Sequence, residues 1–283
     1  MHHDVTFGSD QQAVDHVLES LSGYRRVGVA YSGGVDSATL LALAVRALGP
    51  QRVVAVLGVS ASLARDERSG AHEVASFIGA PVVEVPTHEA DNPAYQRNGP
   101  DRCFHCKDEL FTRIADSVVE QYGLDAVAYG ENADDARRLD RPGSRAATDH
   151  HVLRPLADAG LDKAAVRRIA RALELPCADK PAAPCLASRI PHFEEVSPEK
   201  LAQVEAAEAG LRSLGFVDCR VRHHGEVARV ELPTEDLTRA LEPAMRDRVR
   251  AAVRTAGFRF VTVDLAGLQS GAFTLPLVAV GRG

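Results

Sequence analysis

The stretch "YRRVGVAYSGGVDSATLLALAVRALG", residues 24 to 49, constrains the fold more than any other. A β-rich apolar run stops at a glycine pair, and apolar residues then recur at helical spacing as far as a terminal glycine. That is a strand, a tight loop and a helix. The pattern recurs downstream. "RVVAVLGVS" precedes "ARDERSGAHEVASFIG", "APVVEVP" precedes a long loop, and the helical "KDELFTRIADSVVEQYG" precedes "DAVAYGEN". Strands alternating with helices predict an α/β fold whose parallel sheet is covered on both faces, with a ligand at the carboxyl ends of the strands.

The character changes after "PAAPCLASRIPHFEEVSP": a long helix "SPEKLAQVEAAEAGLRSLGF" leads to two short strands, a further helix and "FRFVTVDL". Ser197 and Pro198 read as a helix cap and first turn. We therefore expect a larger domain over residues 1–196 and a smaller α/β domain over 197–283. A chain of 283 residues can build both cores, and 45% hydrophobic with 25% charged residues is ordinary for a folded protein. The start shows no basic segment followed by an apolar core, and no apolar run is long enough to span a bilayer, so a cytoplasmic location is expected. A net charge of -6 gives no general attraction to nucleic acid. Five cysteines, an odd number, point to metal or catalytic chemistry rather than a disulfide framework.

"SGGVDS", Ser32 to Ser37, lies between the first strand and its helix. Gly33 and Gly34 permit a tight turn with bare N–H groups, Ser32 and Ser37 add hydroxyls, and the helix start at Val35 adds positive potential. Together these make an anion cradle. It lacks the lysine of a Walker A loop, and it resembles the pyrophosphate-binding loop of the PP-loop ATP pyrophosphatases, which form adenylated intermediates. Asp36 inside an anion site calls for a compensating cation or water network, and the resemblance gives it to Mg2+.

Splitting ATP into AMP and pyrophosphate turns a carboxylate or amide oxygen into a leaving group that a nucleophile can displace. An ammonia nucleophile calls for a glutaminase, and the chain has no recognisable one; a sulfur nucleophile calls for cysteines. "RCFHCK" sets Cys103 and Cys106 at a spacing that suits one metal centre, a redox pair or half a zinc site. Cys185 stands alone in "PAAPCLASRIP", as a sulfur donor, a metal ligand or a small apolar residue. Cys177 lies near it and is open as a further ligand, whereas Cys219 reads as a strand residue.

"SGGVDS", "RCFHCK", "GENADD", "DRPG", "KPAAPCLASRIP", "LRSLGF" and "RVRHHGEVARVE" together resemble the ATP-dependent sulfur transferases of nickel-pincer cofactor synthesis, the LarE type, over nearly the whole chain. The resemblance implies an adenine nucleotide alpha hydrolase-like domain and a small substrate and oligomerisation domain. The implied substrate is a pyridinium mononucleotide whose carboxylates are adenylated and converted to thiocarboxylates. The same resemblance implies ATP, Mg2+ and a sulfide or other sulfur donor, and a homo-oligomer. With Cys103, Cys106 and Cys185 the chain matches the branch thought to hold a 4Fe-4S cluster; another branch consumes the cysteine at position 185.

Further site residues follow from the same resemblance. Ser60, Glu131 and Asp134 join the nucleotide set with Asp135 nearby, Arg189 follows the Cys185 loop, and Arg220 and Arg222 share one strand face where they can fork onto a phosphate. Glu131, Asp134 and Asp135 read equally as loop caps, and Arg220 and Arg222 as a solvated basic face. Two positions depart from the family pattern: Asp140 stands where a tyrosine is usual, and "SRIPHF" replaces the usual proline, tyrosine and glycine after the arginine. A tRNA thiolase and a zinc-stapled nucleotide-binding regulator remain as alternatives. A basic RNA surface would mark the first and structural zinc the second.

Overall fold

The computed structural model describes residues 5–137, 142–181 and 183–269, so Asp140 lies outside the described residues. Contacts divide the chain into two units, residues 1–89 with 103–183 and residues 90–102 with 184–283.

In the first unit, strands β1 (Val27–Tyr31), β2 (Val53–Val59), β3 (Val82–Pro86) and β4 (Ala126–Tyr129) form one parallel sheet in the order β3-β2-β1-β4. Side chains alternate across it. Val53, Ala55 and Leu57 of β2 enter one core with Leu40, Leu41 and Leu43 of the helix Val35–Leu48, whereas Val54 and Val56 enter the other with Phe111 and Ile114. Both faces of the sheet are therefore dry, as the unbroken apolar runs predict. The strand order reverses direction between β1 and β4, which opens a crevice at their carboxyl ends. That crevice is where the glycine loop lies.

The second unit contains the helix Pro198–Ser213, strands β5 (Arg220–His224) and β6 (Val227–Glu231), the helices Thr234–Leu241 and Pro243–Thr255, and strand β7 (Phe260–Val263). β5 pairs antiparallel with β6, and β6 pairs parallel with β7. Ser197 caps its helix by accepting the Lys200 N–H, with Pro198 in the first turn.

The expected boundary at residue 196 is displaced. Residues 184–196, and the excursion 90–102, pack with the C-terminal unit. Buried polar bonding is the reason. Asn98 Nδ2 donates to the carbonyls of Ile190 at 3.2 Å and Pro191 at 2.7 Å, and Arg189 forks onto Glu208. A cap marks where a helix begins, but not which core the preceding loop joins. Among the described residues no helix is long and apolar enough to cross a membrane.

Candidate active site

The loop Ser32–Gly34 connects β1 to its helix in a conformation that only glycine tolerates at its centre. Gly33 has φ +73, and a Cβ there would lie 2.8 Å from both the Cα and the Cβ of Ala71. Ser37 holds the loop: its hydroxyl accepts the Ser32 N–H at 3.2 Å and donates to the Gly34 carbonyl at 3.1 Å. Beyond it, the N–H groups of Val35, Asp36 and Ser37 form the first helical turn, which has no internal acceptors. The result is a cradle of N–H donors at the positive end of a 14-residue helix, a fit for phosphate oxygens. Residues from this loop, with Lys107, Tyr129, Gly130, Glu131 and Asp135, line a cleft of about 730 Å³ including its open mouth.

Asp36 is balanced within the protein. Lys163 Nζ pairs with its Oδ2, and Asn132 Nδ2 donates to its Oδ1 at 3.4 Å. Lys163 opens the helix Lys163–Ala172, and its backbone N–H donates to Asp134 at 3.0 Å. Asp134 thus holds a helix start and an ion pair with Arg137, at 3.5 Å, and does not line the cleft. Ser60 follows β2 and donates to buried Glu89, likewise away from the cleft lining.

Glu131 does line the cleft and is 2% exposed. Its Oε1 accepts from Ser144, and its Oε2 lies 3.6 Å from Arg154 without a hydrogen bond. A buried carboxylate oxygen left without a donor is costly unless a ligand or ion supplies one. Beside it, burial and the Glu131 carboxylate push the Tyr129 hydroxyl far above its usual pKa, while Lys107 Nζ sits 4.2 Å from the Tyr129 ring centre.

The cysteines separate by exposure. Cys103 is exposed and Cys106 half-buried, three apart on the helix Arg102–Arg113 and hence on one face; Cys185 is exposed at the start of the short turn Leu186–Arg189. Cys103 and Cys106 belong to the first unit and Cys185 to the second. Among the described residues no three His, Cys, Asp or Glu side chains gather into a metal-sized group, so the described side chains do not by themselves form a complete metal cage. Cys177, 1% exposed within the first core, is a core residue, and burial raises its thiol pKa. A ligand role does not suit it. Burial, then Glu208, pushes the Cys219 thiol up to about 12.

The arginines of the second unit are not a solvated face. Arg189, Arg220 and Arg222 are 7%, 6% and 3% exposed. Arg222 forks onto Glu231 at 2.9 and 2.8 Å and donates to the Ser188 and Gln269 carbonyls, while Arg189 forks onto Glu208 at 2.8 and 3.2 Å. One of the two expected phosphate forks, Arg222, is thus already closed on a carboxylate, as is Arg189. Arg220 donates to the Gln269 carbonyl at 2.7 Å, and burial, Arg189 and Arg222 lower its pKa. Arg189, Arg220 and Arg222 are thus close enough to repel one another, with Glu208 and Glu231 offsetting part of their charge.

Sequence reasoning did not identify Lys107, Tyr129, Gly130, Asn132, Lys163 or Glu231. Gly130 alone had a local signal, a glycine just past a strand end: a Cβ on it would lie 2.7 Å from the Ser37 nitrogen. Lys163 is 127 residues from Asp36, beyond the reach of any spacing rule.

The asparagine synthase family model matches residues 11–118 of the chain. The chain is 41% identical to an uncharacterised protein of Synechocystis over 87% of its length and 91% of that protein. It is 29% identical to a glutamine-hydrolysing GMP synthase component of Methanocella arvoryzae, over 64% of the chain and 62% of that protein. It is also 34% identical to the pyridinium-3,5-bisthiocarboxylic acid mononucleotide synthase of Lactiplantibacillus plantarum, over 90% of the chain and 91% of that enzyme. The glycine cradle on a parallel sheet and this near full-length relationship agree: the chain belongs to the LarE-type ATP-dependent sulfur transferases of the PP-loop ATP pyrophosphatase superfamily.

Proposed function

We propose that this protein uses ATP to convert a carboxylate of a pyridinium mononucleotide into a thiocarboxylate. The observation that carries the reading is the cleft at the carboxyl ends of β1 and β4, where the Ser32–Ser37 loop, Asp36 and a buried Glu131 face one space. The activity for which the Lactiplantibacillus relative is named supplies the substrate class. The substrate carboxylate oxygen attacks the α-phosphorus of ATP, pyrophosphate leaves, and a sulfur nucleophile then displaces AMP from the activated carbon. The N–H groups at Gly33, Gly34 and Val35 hold the leaving pyrophosphate, and Asp36, paired here with Lys163, would hold Mg2+, which would offset the charge of the phosphates.

In the second unit Arg220 receives the mononucleotide phosphate, with Arg189 and Arg222 holding its surroundings. Cys103, Cys106 and Cys185 are the proposed thiolate ligands of a 4Fe-4S cluster, a group that with three protein ligands leaves one iron open to exogenous sulfide. The exposure of Cys103 and Cys185, against the burial of Cys177 and Cys219, supports that choice of thiols. We further propose that the protein works as a homo-oligomer in the cytoplasm.

The test is pyrophosphate exchange into ATP dependent on a pyridine-dicarboxylate mononucleotide, followed by mass spectrometry for exchange of oxygen by sulfur. No substrate-dependent exchange refutes the function. For the cysteines, anaerobically prepared protein is analysed for iron, sulfide and zinc. About four irons per chain, lost in the Cys103, Cys106 or Cys185 alanine variants with Cys185 intact after turnover, is the expected outcome. Stoichiometric conversion of Cys185 to dehydroalanine, or zinc alone, refutes the cluster.

A further inference from the structure

Phe193 departs from ordinary structure in two independent ways. Its side chain is 68% exposed, and its backbone is left-handed at φ +68. The Glu194 N–H donates to the Pro191 carbonyl at 3.1 Å, so residues 191–194 form a β-turn with Phe193 third. A positive φ at that position suits glycine or asparagine, because any larger side chain crowds the backbone.

A bulky aromatic stays in such a conformation only where its surroundings over-determine it. Asn98 does so. Its carbonyl accepts the Phe193 N–H at 3.1 Å and lies 3.1 Å from His192 Nδ1, while its Nδ2 holds the Ile190 and Pro191 carbonyls. Asn98 is fully buried, and its Oδ1 accepts from Arg102, which also donates to the Ala187 carbonyl at 2.9 Å. One buried hub thus fixes the backbone of the turn and of the loop before it. The ring gains little from this, since its ring contact is with His192, centres 6.3 Å apart. Glycine would satisfy the same hydrogen bonds without strain, so stability does not account for the phenyl group.

Its position does. Phe193 lies eight residues after Cys185 and four after Arg189, on a loop that Arg222 braces through the Ser188 carbonyl. We propose that Phe193 is a specificity-determining residue that presents its ring face to the pyridinium ring of the mononucleotide; this rests on the substrate reading above. An aromatic face carries negative potential that attracts a cationic planar ring, and a phenyl group held by a rigid turn loses little freedom on contact.

The test compares wild type with Phe193→Gly and Phe193→Tyr, measuring binding of a pyridine-dicarboxylate mononucleotide and of ATP by calorimetry together with the thermal midpoint. Phe193→Gly is expected to bind the mononucleotide about 3- to 10-fold more weakly, with ATP binding unchanged and the midpoint no lower, whereas Phe193→Tyr retains wild-type binding. Unchanged mononucleotide affinity in Phe193→Gly overturns the proposal. So does a lowered midpoint with both ligands weakened, which would make the ring structural. Failure of wild type itself to bind the mononucleotide refutes the substrate reading, and this inference with it.

Discussion

Asp36 and Lys163 in the first unit leave 23% and 38% of their side chains exposed, whereas Arg222 and Glu231 in the second leave 3% and 0%. The first pair is one contact at the mouth of a cleft, and solvent or an incoming ion can replace either partner at small cost. The second is a bidentate pair sealed from water, in which losing one partner strands a charge. Ion pairs of similar length therefore do different work: one guards a binding cradle, the other holds a strand pair together. Arg220 stands between these cases, buried like Arg222 but bonded to the Gln269 carbonyl.

The sharpest way to break the comparison is Arg222→Leu, which removes the two-point partner of buried Glu231 and leaves it Arg229 alone, at 3.2 Å. A loss of about 3–5 kcal/mol in denaturant unfolding is expected, so absent substrate binding in this variant would report unfolding rather than a lost phosphate contact. A loss below about 1 kcal/mol would show that the pair is not sealed. Gly33→Ala strikes the first unit in another way, forcing a Cβ against Ala71 at a left-handed φ. Pyrophosphate release should fall by about 100-fold or more while secondary structure persists by circular dichroism.

Arg220→Ala should weaken mononucleotide binding by about 1.5–3 kcal/mol, read by calorimetry, with the unfolding midpoint moved less than in Arg222→Leu because the two-point bond to Glu231 is made by Arg222 and survives. Equal losses of stability in Arg220→Ala and Arg222→Leu would erase the distinction between them. Asp36→Asn is expected to change stability by less than about 1 kcal/mol yet remove ATP cleavage; normal pyrophosphate release would separate Asp36 from the chemistry.

The smallest effect concerns pH. Burial, the largest cause, lowers the pKa of His223 and His224 below 6.5. The unfolded chain therefore takes up protons near pH 6.5 while the folded strand stays neutral, and stability of the second unit falls as pH drops from there towards the folded values. In the first unit, Arg68 and then His72 hold Glu84 at about 2, so its contribution is lost only as pH falls below 4.5 towards that value. Amide protection factors, which remove the slowing of intrinsic exchange at lower pH, should fall in β5 before β3 between pH 6.5 and 4.5. An equal fall in both strands would refute the assignment.

What was legible in the residues was local. Periodicity from Val27 to Leu48 defines a strand and a helix, the glycine pair between them defines the cradle, and Ser197 with Pro198 marks a helix start, because each signal lies within a few residues of chain. The spacing of Cys103 and Cys106 was legible as a pair, but the helix that puts them on one face starts at Arg102, five residues before the expected start at Lys107. Tertiary structure decided the partners: Lys163 for Asp36, Glu231 for Arg222, and Asn98 for the loop that carries Cys185 and Phe193. It also decided which unit that loop joins. The physical reason is that burial and charge pairing depend on distance in space. Asp36 meets its cation across 127 residues, and Glu231, although it stands opposite Arg220 in the strand register, turns its carboxylate diagonally onto Arg222.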